Sequence, residues 1–453
     1  MTTRPQLSCW MTARDLPRRL APLPTTTLEP LSDGISRLAT VWIDDLVSYQ
    51  EIEGFGGAFT EAAAVTLQKM PAAKQEEILR AYFDRDAGNA YSLCRTHINS
   101  CDFATGNYAY CDQDGDLALA SFSIARDRQA LLPMIQRAQA LAGGGVKLFA
   151  SPWSPPAWMK SNGQMNRGGQ LKAECRQAWA EYYVRYIQEY AKAGVAIWGL
   201  TVQNEPEAVQ PWDSCVYSPA EERDFVRDHL GPALERAGLG HVKVIIWDHN
   251  RERLYDRAKV VYSDPRAARH VWGAGFHWYC ANVFENVQRT HDAWPEKKLL
   301  FTEGCQEGGP HHGSWLTGER YAQSVIQDLN HWTVGWVDWN LLLDETGGPN
   351  HVGNFCSAPI LADTRTGEVL YQSSYYYLGH FSRFIRPGAK RILTTASRDD
   401  LEVTACKNPD GSLAAVILNR SESAIPVTLK FNQGEATLES PRRSILTAVL
   451  PPS

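Results

Sequence analysis

The sequence lacks any long apolar run. No stretch of its 453 residues reaches the length of a membrane span, and the opening "MTTRPQLSCWMTARDLPRRLAPLP" has no apolar core of a secretory leader. As written, the chain therefore reads as soluble and cytoplasmic with no integral membrane segment, and as secreted only if a leader was removed. An excess of charge is missing as well: 45 basic residues against 51 acidic ones leave a formal charge of −6. That gives no electrostatic footprint for nucleic acid or an anionic membrane. The ten cysteines are scattered, without a CxxC pair or a regular disulfide framework, which favours mostly free thiols in a reducing compartment. There is no HExxH and no HxH on an early strand, so His277, His311, His312 and His351 make a poor metal set.

What the sequence does have is aromatic surface and an α/β rhythm. Its 15 Trp and 18 Tyr are rigid, flat groups with a polar handle, suited to stacking on a sugar, although any one of them is more often core. Eight apolar runs of strand character recur between amphipathic stretches: "EGFGGAFT" from Glu53, "AYSLCRTHI" from Ala90, "VKLFASPW" from Val146 and "IWGLTVQNE" from Ile197. "VKVIIWDHN" from Val242, "VWGAGFHWY" from Val271, "KLLFTEG" from Lys298 and "VGWVDWNLLL" from Val334 complete the set. Strands alternating with helices predict a parallel α/β fold, and eight such units predict a (β/α)8 TIM barrel. Ser218, Pro219 and Glu221 spell a capping box with Pro at the first helical position. The aromatic stripe over 179–190 keeps a 3.6-residue period up to Gly194, as a helix packed on the sheet would.

The flanks carry no helical period. "LEVTACKNPDGSLAAVILNRSESAIPVTLKF" reads as strands joined by turns, with Pro409, Asp410 and Gly411 marking a hairpin. The predicted architecture is a catalytic barrel over 51–383 beside an accessory all-β sandwich, built from an N-terminal segment, 1–50, and a C-terminal one, 384–453.

Active sites of such barrels lie at the C-terminal ends of the strands. In "LTVQNEPE" an apolar run finishes in an amide pair, a carboxylate and a proline, which cannot donate to a ladder and favours an extended predecessor. Glu205 is thereby placed at the edge of the fourth strand. "LLFTEGC" repeats the pattern at Glu303 on the seventh. The same face would collect Asp102, Phe103, Trp153, Asn204, Asp248, His249, His277, Tyr279, Trp339 and Asn340. Two carboxylates across a barrel mouth ringed by Trp, Tyr, His and Asn are what glycosidic bond hydrolysis requires: one acid for the leaving oxygen, one carboxylate for the oxocarbenium-like centre.

Here the sequence resembles a known family. "GFGGAFTEAAA", "SCDF", "LFASPWSPPAWMK", "VQNEPEA", "HWY", "FTEGC", "VDWNLLLDETGGPN" and "YYYLGHFSRFI" occur in the order found in glycoside hydrolase family 30, in the branch that resembles glucosylceramidase. The resemblance runs from Gly54 to about Ile385 and does not reach residues 1–40. It implies a retaining, exo-acting β-glucosidase without a cofactor, releasing terminal glucose from a β-glucoside or glycolipid. A β-1,6-glucanase or β-xylosidase activity is the alternative, and a non-catalytic sugar-binding barrel, against which the retention of both glutamates argues, is the second. Carried over by motif, Glu205 becomes the acid/base and Glu303 the nucleophile. Asp102, Phe103, Trp153, Asn204, Trp339 and Asn354 become sugar-binding residues. His277 and Tyr279 join that set and, with Arg95, orient the carboxylates. Gly304 stands in "TEGC" where the family has a small residue. The two glutamates are expected to titrate as a coupled pair, Glu303 holding the charge and Glu205 the proton.

Overall fold

Eight parallel strands close into a barrel. In chain order they are Gly54–Phe59, Leu93–Ile98, Lys147–Pro152, Gly199–Thr201, Lys243–Asn250, Val271–His277, Lys298–Glu303 and Thr333–Asn340; seven lie within the apolar runs and the eighth begins one residue before its run. This computed structural model describes residues 4–452 apart from 33, 35 and 36. The helix Arg176–Lys192 buries Trp179, Tyr182, Tyr183, Tyr186, Ile187 and Tyr190, the stripe that its sequence spacing marks. Gly194 follows at φ +79°, a left-handed position that costs glycine little. Ser218 and Glu221 form the reciprocal capping box of the helix Pro219–Phe225. That helix then runs through one π-helical turn, Val226–Leu230, before resuming as Gly231–Arg236, a break that the amphipathic pattern does not mark.

The two chain ends meet in one ten-stranded sheet. Gln6–Ala13 pairs antiparallel with Ser444–Leu450, and Ala39–Glu51 lies between Lys390–Ala396 and Ile425–Phe431. Its strands share one apolar core, with Leu7, Val41, Val403, Ile417, Leu429 and Leu446 in mutual packing, so the sheet folds over itself as a sandwich. The helix Ser373–Ser382 joins the two units: buried His380 bonds Thr447 Oγ1 at 2.8 Å and Thr12 Oγ1 at 2.9 Å. Residues 1–3, 33, 35 and 36 of the N-terminal segment lie outside the described residues. Among the described residues no helix is long and apolar enough to cross a membrane.

The barrel interior is layered. Leu93, Phe149, Ile245, Leu300 and Val337 fill its lower part. Because side chains alternate along a strand, the next inward positions of the second, third and eighth strands are Arg95, Ser151 and Trp339. The apolar plug thus changes to polar chemistry one step up, at the C-terminal rim.

Candidate active site

Local irregularities aim the carboxylates into the barrel. In the seventh strand the pairing with the sixth shifts by one residue between Phe276↔Phe301 and His277↔Glu303. The extra residue resets the alternation, so that Glu303 points inward three positions after inward Leu300. The fifth strand carries a similar bulge at Trp247 and Asp248, with φ of +72° and +54°. It turns Asp248 inward while Trp247 packs outside, where its N–H donates to Glu222 Oε1 at 2.8 Å. Glu205 has φ +45°. Each such non-glycine residue costs about 1–3 kcal/mol, a strain that the surrounding bonds must hold. Glu205 N–H donates to Asp248 O at 2.9 Å and Asn204 N–H to Pro152 O at 2.9 Å.

These details correct the expected geometry of "NEP". The fourth strand ends at Thr201, and Glu205 stands in the turn beyond it with a left-handed backbone instead of the extended one that a following proline favours. Hydrogen bonds to the third and fifth strands override the local preference.

Arg95 is the hub beneath the carboxylates. It is fully buried, and its guanidinium donates through Nε to Ser151 Oγ at 2.9 Å and through Nη1 to Glu303 Oε2. Nη2 donates to Asn204 Oδ1 at 2.9 Å and Asp248 Oδ2 at 2.8 Å. Thr201 Oγ1 also donates to Asp248 Oδ2, at 2.7 Å. His277 bridges two acids, with Nδ1 3.1 Å from Glu205 Oε1 and Nε2 2.9 Å from Asp248 Oδ1. Tyr279 OH donates to Glu303 Oε1 at 3.0 Å. One carboxylate oxygen from each of Glu205 and Glu303 and a ring nitrogen of His277 all lie within 4.8 Å of one another.

Above this network lies a cavity of about 290 Å³, at the small end of the roughly 300–1,000 Å³ usual for small-molecule sites. One side is aromatic. Trp153 and Trp339 stack at 5.0 Å with 18° between their planes, and Phe103 meets Trp339 edge-on. The Arg95 guanidinium sits 4.7 Å from the Trp153 ring, fixing that wall. Asp102 Oδ2 accepts from Asn354 Nδ2 at 3.2 Å and from Asn350 Nδ2 at 3.3 Å, which brings the 350–354 loop to the site. Gln210, Trp212, His249, Asn250 and Glu307 line the cavity as well. Beside the nucleophile candidate, a Cβ on Gly304 would fall 2.7 Å from the Phe301 ring and 2.8 Å from Trp278. Glycine is needed there for close packing.

The electrostatics depart from expectation in one respect. Burial works to raise the Glu205 carboxyl, but the His277 hydrogen bond and the charges of His249 and His277 bring it below its ordinary value. Burial raises Glu303 and prevails over the pull of His277 and Arg95, with Glu205 and Asp248 adding to the rise. The two carboxyls thus shift in opposite directions, Glu205 down through the His277 hydrogen bond and Glu303 up through burial. Burial opposes the charge on His277, yet Glu303, Asp248 and Glu205 lift its pKa to about 9. Asp102 is pushed up to about 8, by burial first and then by the Glu303 charge.

Of the residues singled out from sequence, Asp102, Phe103, Trp153, Asn204, Glu205, Tyr279, Glu303, Trp339 and Asn354 all line this one cavity. Arg95 lies beneath it, as an orienting role requires. His277 is corrected: it is fully buried with both ring nitrogens engaged by carboxylates, so it does not face a substrate. Asn340 is drawn aside to accept from Thr60 Oγ1 at 2.7 Å. The rival metal set does not assemble. His311 and His312 bond the backbone oxygens of Glu307 and Glu345, while His351 lies 3.5 Å from Asp213. Asp248 was visible as a strand-end acid, but its place as the partner of both Arg95 and His277 was not. Asn350, Trp212, Glu307, Cys305 and Cys356 were not singled out, being loop residues with no periodic signal.

Comparison with known proteins gives a consistent result. The model of the glycosyl hydrolase family 30 TIM-barrel domain matches residues 52–385, and that of the family's beta sandwich domain matches 388–448. Lysosomal acid glucosylceramidase of Mus musculus is 38% identical over 84% of this chain and 77% of its own. An endo-1,6-beta-D-glucanase of Neurospora crassa is 30% identical over 90% of this chain and 88% of its own. The crystal structure of SrfJ from Salmonella typhimurium superposes with a TM-score of 0.94 at 36% identity, covering 99% of this chain and 100% of that one.

Proposed function

We propose that this chain, which belongs to glycosyl hydrolase family 30 and is a glycoside hydrolase, is a retaining, exo-acting β-glucosidase of the glucosylceramidase type. It would release terminal β-linked glucose from a glycolipid or a simpler β-glucoside. The observation that carries the retaining part of this reading is the closeness of the carboxylates, one oxygen of Glu205 lying within 4.8 Å of one oxygen of Glu303. Retaining enzymes hold the pair about 5–5.5 Å apart, whereas inverting ones need roughly 6.5–9.5 Å to admit a water between them.

The contacts support the roles that the motifs imply. Glu303 attacks the anomeric carbon, with Arg95 and Tyr279 donating to its two oxygens and holding its lone pairs in place. Glu205 protonates the leaving oxygen and later takes a proton from the water that breaks the glycosyl-enzyme. His277 sets the orientation and acidity of Glu205 through Nδ1. Asn204, with Oδ1 taken by Arg95, keeps its N–H2 end for the sugar 2-hydroxyl. Trp153, Trp339, Phe103, Asp102 and Asn354 enclose the sugar.

The productive state needs the proton of the pair on Glu205, so kcat/KM should be bell-shaped in pH. The alkaline limb reports loss of the last proton shared by the carboxylates, and lies above the ordinary carboxylate range because burial and the Glu205 charge both raise Glu303. Glu205→Ala removes that charge and the acid together. On an activated aryl glucoside the variant should lose the alkaline limb and shift its acid limb downward; an unchanged alkaline limb would show that another group carries the proton.

The small cavity, with Asp102 and the 350–354 loop enclosing it, favours one terminal sugar over a run of them. The relative in Neurospora crassa supports a second reading, endo-acting β-1,6-glucan hydrolysis. A panel of aryl β-glycosides, a fluorescent glucosylceramide and a β-1,6-glucan separates the two. Glucose released from the first two, with the polymer left intact, is the expected result. Rapid shortening of the polymer with little glucose set free would favour the endo reading instead.

A further inference from the structure

Asp213 is a buried acid with no part in the chemistry above. Its Oδ1 accepts from Ser100 Oγ at 2.6 Å and from Asn107 Nδ2 at 2.9 Å, whereas its Oδ2 is buried without a hydrogen-bond partner. The ammonium of Lys160, which reaches the same segment, is spent on the backbone oxygens of Met165 and Ser214. Facing Oδ2 at 3.5 Å is Nε2 of His351, a residue whose two ring nitrogens are likewise buried without a hydrogen-bond partner. Buried polar groups are rarely left so. A shift of about half an ångström would make the pair an ordinary N–H···O bond.

The two residues join three segments of the cavity wall. Ser100 lies two residues before Asp102, Asp213 follows Trp212, and His351 stands between Asn350 and Asn354; Asp102, Trp212 and Asn354 all line the cavity. The 350–354 loop is bonded to itself, with the N–H groups of Val352 and Asn354 both donating to Asn350 Oδ1 at 3.0 Å. Its ties to the Asp102 segment are long. His351 N–H donates to Asp102 O at 3.2 Å, and the side chains of Asn354 and Asn350 donate to Asp102 Oδ2 at 3.2 and 3.3 Å.

We propose that Asp213 and His351 are a positioning pair for the sugar end of the substrate. The bond between them forms as a bound sugar draws the 350–354 loop toward Asp102, and it then holds Asp102 and Asn354 in register on the sugar hydroxyls. This rests on the reading of the cavity as a sugar site. A neutral ring with its proton on Nε2 is enough, so no charge has to move. The contacts that the pair secures are made to the bound sugar and kept in the transition state. Losing the pair therefore weakens both alike, which raises KM and leaves kcat in place. Because it acts on the sugar, the loss is the same whatever the leaving group.

The test compares wild type, His351→Leu, His351→Gln, Asp213→Ala and the double variant of His351→Leu with Asp213→Ala. Each is assayed on an aryl and an alkyl β-glucoside, for inhibition by a glucose-configured iminosugar, and for amide hydrogen exchange over 350–354. His351→Leu should raise KM and the inhibition constant by about 10–10²-fold, the scale on which a misplaced positioning group acts. Its kcat should stay within about twofold on both glucosides, and the amides of Val352 and Asn354 should exchange faster. His351→Gln, whose amide N–H2 can stand where Nε2 does, should return to near wild type. In the Asp213→Ala background His351→Leu should add nothing, since the partner is already gone. A loss confined to kcat, a His351→Gln as impaired as His351→Leu, losses that multiply in the double variant, or exchange unchanged by His351→Leu would each overturn the pair. Should Asp213→Ala not fold, the contrast between His351→Leu and His351→Gln decides. A wild type that hydrolyses neither glucoside would fail the β-glucosidase reading alone. Exchange then decides the pair: faster in His351→Leu and restored in His351→Gln supports it, and equal rates overturn it.

Discussion

Glu303→Gln should lose at least about 10⁴-fold in hydrolysis of every β-glucoside, whatever its leaving group, because without the nucleophile no glycosyl-enzyme forms. The substitution preserves shape: the single amide oxygen can accept from Arg95, while the amide N–H2 can donate to the Tyr279 hydroxyl oxygen once that hydroxyl rotates. The loss should therefore appear with little change in folding, as checked by thermal unfolding beside the kinetics. In the wild-type protein a 2-deoxy-2-fluoro glucoside with a good leaving group should accumulate as a covalent adduct, and peptide mapping should place it on Glu303. An adduct on another residue would remove Glu303 from the role.

Glu205→Ala should behave in the opposite way with respect to the leaving group. An aryl oxide of low pKa departs without a proton, whereas an alkyl alcohol such as the headgroup of a sphingoid base does not. The first step should fall by about 10²–10⁴-fold for the alkyl glycoside and far less for the activated aryl one. Since the second step also loses its base, the aryl substrate should show a burst followed by slow turnover, and added azide, which needs no base, should restore that turnover. Equal losses on both substrates, or no rescue by azide, would count against Glu205 as acid/base. His277 gives a further reason to expect sensitivity here, since its Nδ1 is the hydrogen-bond partner that holds Oε1 of Glu205.

The sequence made the barrel legible because each strand is a short apolar run bounded by turn signals, and because capping at Ser218 and the stripe over 179–190 obey local rules. The acids were legible for a similar reason: Glu205 and Glu303 each interrupt an apolar run. What stayed hidden is non-local. The bulges that turn Asp248 and Glu303 inward depend on register with neighbouring strands, and Glu205 adopts a backbone that its own proline disfavours. The pairing of Gln6–Ala13 with Ser444–Leu450 joins the two chain ends, for which no local pattern exists. His277 sits two residues before cavity-lining Tyr279, yet it lies beneath the acids, bridging Glu205 and Asp248.

The central claim is that the two carboxylates act by double displacement, and the stereochemistry of the first product tests it most directly. Proton NMR of an aryl β-glucoside at high enzyme concentration, read before mutarotation sets in, should show the β-anomer of glucose first, with the α-anomer growing in later at its spontaneous rate. An α-anomer that appears first would mean a single displacement by water, and would contradict the account.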